Sequence, residues 1–154
     1  RRFNGDKMYR EGGVNIVTQE GTAAVKEAIE FLKQAKPMAA MTPSEGLALA
    51  ARDHVNDTGD KGLTGHKGTD GSMPQDRILR HGKVNSTCGE NIAYGPDEAR
   101  SIVMQLIIDD GVANRGHRKN IFSADFKTAG VAMGRHRSFD TMCVITYADG
   151  FAAK

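Results

Sequence analysis

No apolar run in this 154-residue chain approaches the ~18 residues that a membrane-spanning helix needs. A transmembrane segment is therefore not expected. Charge of one sign is lacking too, since 21 Lys and Arg stand against 19 Asp and Glu, a net charge of +2. The basic residues are scattered: Arg77, Arg80 and Lys83 in one place, Arg115, Arg118 and Lys119 in another, Arg135 and Arg137 in a third. Solvated surface accounts for them better than a phosphate-binding stripe, so nucleic acid is not an expected partner. No secretory leader is visible at Arg1-Arg2-Phe3-Asn4-Gly5-Asp6, a start that suits a mature secreted domain and a cytosolic protein equally. Cysteine is limited to Cys88 and Cys143. A bridge between them would close a long loop worth about 4 kcal/mol in the chain-entropy picture; two buried free thiols fit the sequence just as well. Internal repeats, low-complexity tracts and a His-Glu-x-x-His motif are absent, and neither Ser72 nor Ser86 has the strand-turn setting of a nucleophile elbow.

What remains is an ordinary globular composition, 39% hydrophobic and 26% charged, in a chain long enough for one domain with a real core. Residues 1–21 are polar and glycine-containing without periodicity and read as an irregular arm; residues 22–154 read as the domain. Thr22 is placed to cap a helix running to Lys36, with Val25, Ala28, Ile29 and Leu32 on one stripe and Pro37 as its stop. Thr42-Pro43-Ser44-Glu45 opens a second helix whose apolar face includes Leu47, Leu49, Ala50, Ala51 and His54. A third helix is expected over Pro74 to His81, and a fourth from Pro96 to Asp109. Residues 85–94 read as a short extended segment, and Val112 to Asn120 as a loop. Lys127 to Gly134 and Thr141 to Ala148 read as paired strands, the second alternating Cys143, Ile145 and Tyr147 against Val144, Thr146 and Ala148. Both cysteines then fall on or beside strands of one small sheet, within bonding range of each other. Helices before and between late strands predict an α+β fold, an α/β/α three-layer sandwich with a small antiparallel sheet between helices.

Three titratable residues stand in glycine-bracketed segments: His66 in Thr64-Gly65-His66-Lys67-Gly68, Glu90 in Cys88-Gly89-Glu90-Asn91-Ile92, and His117 in Arg115-Gly116-His117-Arg118. Converging, two imidazoles and a carboxylate would suit Zn2+ or another divalent transition metal. Alone, each histidine is more simply a turn residue hydrogen-bonded to backbone. Asp109 and Asp110 end the fourth helix, where two acids oppose the helix dipole by a few tenths of a kcal/mol to about 1 kcal/mol. That cost implies partners, and closeness to His117 makes both candidate cleft acids.

Gly89-Glu90-Asn91-Ile92 and Gly116-His117-Arg118-Lys119-Asn120-Ile121 resemble signature segments of the CAP superfamily, the cysteine-rich secretory, antigen 5 and pathogenesis-related 1 proteins, also called SCP-like extracellular proteins. The resemblance runs from about Thr22 to Phe151 and is nearer to the bacterial or protist branch, since the cysteine wealth of the vertebrate members is missing. It implies that His66, Glu90 and His117 line one cleft. In animal and plant members a second glutamate completes a tetrad; this chain has none there, and Asp109 and Asp110 are the nearest substitutes. The resemblance further implies an extracellular domain that binds a small apolar ligand, lipid or sterol, or a protein partner. A metal-dependent, protease-like hydrolase is the alternative, and a structural or adhesive domain with an idle cleft a third. Binding is favoured because neither a nucleophile nor a separate general base stands out.

Overall fold

The computed structural model describes residues 3–5, 7–11 and 14–154. The arm is not irregular. Phe3–Asn4 (β1), Met8–Glu11 (β2) and Val14–Val17 (β3) form a small antiparallel meander, while residues 1, 2, 6, 12 and 13 lie outside the described residues. Long-range pairing supplied an order that the sequence pattern of the arm does not display.

Helix α1 covers Thr22–Gln34, and a two-residue strand β4, Thr42–Pro43, precedes helix α2, Glu45–Thr58. The expected start of α2 moves inward by two residues. Thr42 and Pro43 pair with a later strand, and Ser44 is the cap, its hydroxyl accepting from Leu47 N at 3.4 Å. Helix α3 spans Pro74–His81, followed by β5 (Gly82–Val84) and β6 (Cys88–Tyr94). Helix α4 is Ala99–Ile108. A further helix, α5 (Gly116–Ile121), lies within the segment read as a loop, too short for periodicity to reveal it. Strands β7 (Thr128–His136), β8 (Asp140–Ala148) and β9 (Phe151–Ala153) end the chain.

The central sheet has the order β4-β7-β8-β6, antiparallel except where β4 runs parallel to β7, and β5 pairs with β9 separately. The period-two alternation of β6 and β8 divides the core. Ile92, Met142 and Val144 pack with Ala51 and Val55 of α2, and Cys88 and Ala148 with Leu47, Ala50 and Ile78 of α2 and α3. Ala93, Cys143 and Ile145 point the other way, onto Ile102 and Leu106 of α4 and Ile121 of α5. The result is the expected three layers, with β6 on the sheet edge.

This alternation overturns the expected approach of the cysteines, both of which are free thiols. Cys88 lies opposite Ala148 and Cys143 opposite Ala93, five residues apart along β8, or roughly 16 Å at strand rise. They also face opposite layers. A bridge requires Cα atoms within about 7 Å.

The α1 stripe is corrected as well. The helix buries Ala24 and Ala28 and stacks Phe31 edge-on against Phe122, while Ile29 and Leu32 face outward at 46% and 45% exposure. Small alanines allow close approach where the larger aliphatics do not, so hydrophobic spacing alone mis-set the rotation.

Helix α2 lies against β7 at glycine distance. A Cβ on Gly130 would fall on the backbone of Leu47 and Ala48, atoms that cannot rotate away. Gly130→Ala is expected to destabilise the domain by at least the ~1–3 kcal/mol typical of overpacking, measurable as a lower denaturation midpoint. An unchanged midpoint would mean that α2 can lift from the sheet at no cost.

Candidate functional site

The His66 segment leaves α2 through a loop that is bound at successive residues. Gly65 N donates to Tyr94 Oη at 3.0 Å, and Gly65 O accepts from His54 Nε2 at 2.8 Å. His66 O accepts from Arg77 Nη1 at 3.0 Å. The imidazole then donates from Nδ1 to Glu90 Oε1 at 2.8 Å, and the second oxygen, Oε2, accepts from Arg77 Nη2 at 2.7 Å. The Glu90 and Arg77 side chains are each only 2% exposed, whereas that of His66 is 43% exposed. Both carboxylate oxygens of Glu90 are thus engaged, and the open valence at this point is His66 Nε2.

His117 repeats the pattern on the other layer. Its Nδ1 donates to Asp109 Oδ1 at 2.6 Å, and its backbone N donates to Asp109 Oδ2 at 2.9 Å, an oxygen shared with Arg118 N at 3.2 Å. Asp109 is buried and takes the left-handed region at φ 56°, the C-cap of α4. Non-glycine residues rarely hold that conformation unless surrounding contacts require it. Here three donors converge on its carboxylate. Asp110 turns away, its oxygens accepting from Gln19 N and Glu20 N at 2.7 and 2.8 Å. The two acids of one helix end therefore have different tasks: Asp109 fixes His117, and Asp110 fastens the segment before α1.

The dipole cost of these acids is offset by two arginines. Arg118 Nε donates to Ile107 O at 2.6 Å and Nη2 to Ile108 O at 3.2 Å, placing a cation on the exposed carbonyls of the helix end, while Nη1 reaches Glu27 of α1. Arg115 bonds Glu20, Glu27 and Asp109 O. The Arg115 guanidinium beside Glu20 holds that carboxyl down at about 2.

Strand β6 joins the two histidines. Glu90 faces α3 and receives His66. The next residue, Asn91, is fully buried, and its Nδ2 donates to His117 O at 3.0 Å and to Tyr147 Oη at 3.2 Å. Asn120 of α5 donates to Asn91 Oδ1 at 2.8 Å and to Glu90 O at 3.3 Å, covering the free edge of the strand. The His66 ring is held to Glu90 and the backbone carbonyl of His117 to Asn91, two consecutive residues on an edge strand, from opposite faces. The two imidazoles do not form a three-ligand cluster with Glu90: among the described residues no three His, Cys, Asp or Glu side chains are placed to hold one ion. The reason is local, since each carboxylate is consumed by its own histidine and by cationic or backbone donors.

A model of the CAP, cysteine-rich secretory protein, family matches residues 6–147. The chain belongs to this family. Among curated proteins none matches it. Two solved structures share the fold of this CAP chain. An outer surface protein of Borrelia burgdorferi is 14% identical, with a TM-score of 0.60 over 86% of this chain and 89% of that one. An extracellular protein containing an SCP domain, from Bacillus anthracis, is 19% identical with a TM-score of 0.58, over 78% of this chain but 36% of that one. At such identities the likeness establishes the sandwich and no shared activity.

Several residues around His66 and His117 carried little sequence signal by themselves. Asn91 and Asn120 stand inside the signature segments but perform positional work, and Arg77 is an α3 residue indistinguishable in sequence from its solvated neighbours. His54 had one sign, a histidine on the apolar stripe of α2. It is fully buried, and burial pushes its pKa down. His136 is also fully buried and structural, donating to Leu63 O at 3.0 Å and accepting from Ser138 N at 3.2 Å. Two open depressions of about 380 and 520 Å3 flank Pro43 and Ser44, and neither is lined by His66, Glu90 or His117. No described helix is long and apolar enough to cross a membrane.

Proposed function

We propose that this chain is an extracellular CAP domain that works as a binding module, with His66 and His117 as the donors for a divalent transition metal such as Zn2+. The observation that carries the reading is the matched state of the two imidazoles. Each gives its Nδ1–H to a buried carboxylate, which leaves the Nε2 lone pair outward. That carboxylate–histidine pairing is the arrangement that orients imidazoles as metal ligands, the acid acting behind the histidine rather than on the ion. In this reading two imidazoles make an open site, with remaining positions for water or for a donor of the bound partner, not a closed four-ligand site. In this reading Glu90 and Asp109 set ring orientation, while Arg77 and Asn91 hold the segments that carry the rings.

A bound metal would supply a Lewis-acidic anchor for an oxygen or nitrogen donor of a ligand. Hydrolysis is the less supported reading because the carboxylates beside the two histidines, Glu90 and Asp109, are already engaged. A small apolar ligand, expected from the family resemblance, has outward aliphatic surface available at Ile29 and Leu32 of α1 and Val103 of α4. Extracellular placement is supported by the outer-surface and extracellular character of the two structural neighbours.

Calorimetric titration with zinc tests the metal reading. The wild type is expected to bind at neutral pH, His66→Ala with His117→Ala to lose binding, and Glu90→Gln to weaken it by roughly 10–100-fold, as loss of an orienting partner does. Binding that survives loss of both histidines places the ion elsewhere. Turnover of a peptide and ester panel by the zinc-loaded protein would replace the binding role with a hydrolytic one.

A further inference from the structure

Three buried polar atoms among the described residues have no hydrogen-bond partner: His54 Nδ1, Arg77 Nε and Thr146 Oγ1. They come from α2, α3 and β8, and all three residues are at most 2% exposed. All three also lie around Glu90. Arg77 bonds its carboxylate directly. Thr146 is its cross-strand partner in the β6–β8 ladder, so the two side chains share the face covered by α2 and α3. His54 bonds Gly65 O, the carbonyl next in the chain to the His66 O that Arg77 holds, so the two side chains meet on one stretch of backbone.

We propose that His54, Arg77 and Thr146 bind one structural water behind Glu90. The chemistry of the three atoms restricts the occupant. Arg77 Nε–H is an obligatory donor and can neither ligate a metal nor bind a cation. His54 donates from Nε2 to Gly65 O, so its Nδ1 carries the lone pair and needs a donor, which disfavours an anion. Thr146 Oγ1 can do either. A neutral molecule that both accepts and donates satisfies all three, and water does so with the three bonds typical of buried solvent. A buried polar group left unpaired keeps its full desolvation penalty, which is the driving force for taking a water in.

The consequence concerns Glu90. Arg77 is already fixed by His66 O and Ser72 O at Nη1 and by Glu90 at Nη2. A water at Nε closes the remaining side of the guanidinium and ties it to α2 through His54. His54 then acts as a positioning residue for the clamp that orients His66. The inference is independent of whether metal binds.

A high-resolution crystal structure of the wild-type chain tests it first. One ordered water within hydrogen-bond distance of His54 Nδ1, Arg77 Nε and Thr146 Oγ1 is expected. No water there, or the three atoms turned to separate partners, overturns the proposal. In solution, magnetic relaxation dispersion of water oxygen is expected to show a long-lived internal molecule that is lost in Thr146→Val and retained in Thr146→Ser. Retention in both variants also overturns it. Should Thr146→Val fail to fold, the nitrogen resonance of wild-type His54 decides: a hydrogen-bonded Nδ1 supports the water, and the shift of an unbonded ring nitrogen excludes it.

Discussion

Glu90→Ala is expected to lower unfolding free energy by about 3–5 kcal/mol, the cost of stranding one member of a buried ion pair. Arg77 would keep its charge inside the protein with its guanidinium facing a void, and the His66 ring would lose the acceptor that aims it. Replacing both partners, with Glu90→Leu and Arg77→Met, is expected to recover more than half of that loss, since desolvation of both ions is then avoided. Recovery stays incomplete because His66 O and Ser72 O lose their Arg77 donor. Urea denaturation of Glu90→Ala and of the double variant measures this directly. A double variant no more stable than Glu90→Ala would show that the pair contributes through packing, not charge.

Asp109→Ala is expected to cost about 3 kcal/mol. The substitution removes the acceptor for two backbone N–H groups, His117 N and the buried Arg118 N, at roughly 1–3 kcal/mol for a buried unmet donor. It also places alanine in the left-handed region, a further ~1 kcal/mol that an aspartate or asparagine largely avoids. Asp109→Asn should therefore retain much of the stability while disturbing the His117 ring, because an amide cannot accept at both of its terminal atoms. Asp110→Ala, whose contacts are exposed bonds to Gln19 N and Glu20 N, should cost about 1 kcal/mol or less. Equal losses at Asp109 and Asp110 would contradict the division of labour between them.

The same pair of acids shows how far the sequence could be read. Two carboxylates at a helix C-terminus are locally unfavourable, and that conflict pointed to partners without naming them. Asp109 finds His117 and Arg118 a few residues on, but the other partners are distant in the chain: Arg118 carries Glu27 as well as the helix carbonyls, and Asp110 holds Gln19 and Glu20. Local rules see the cost of such a helix end but not the cations that cancel it. The α1 stripe failed for a related reason. Val25, Ala28, Ile29 and Leu32 have helical spacing, yet of these four Ala28 alone is buried, together with Ala24, because α1 packs closely there. Cys88 and Cys143 were placed on strands correctly, but register and facing keep them apart.

By itself, the sequence determined the layered α+β architecture, the extents of its long elements within a few residues, and family membership. These follow from periodicity and from short signature segments, which are local properties of the chain. Only the tertiary structure decided what the carboxylates do. Whether Glu90 and Asp109 ligate an ion or orient an imidazole depends on which donors surround them, and those donors, Arg77 and the backbone at His117 and Arg118, arrive from separately folded segments. Hydrogen-bond saturation is a three-dimensional property, so the same Gly-Glu-Asn and Gly-His strings that pointed to the candidate site could not say which of its atoms remain free.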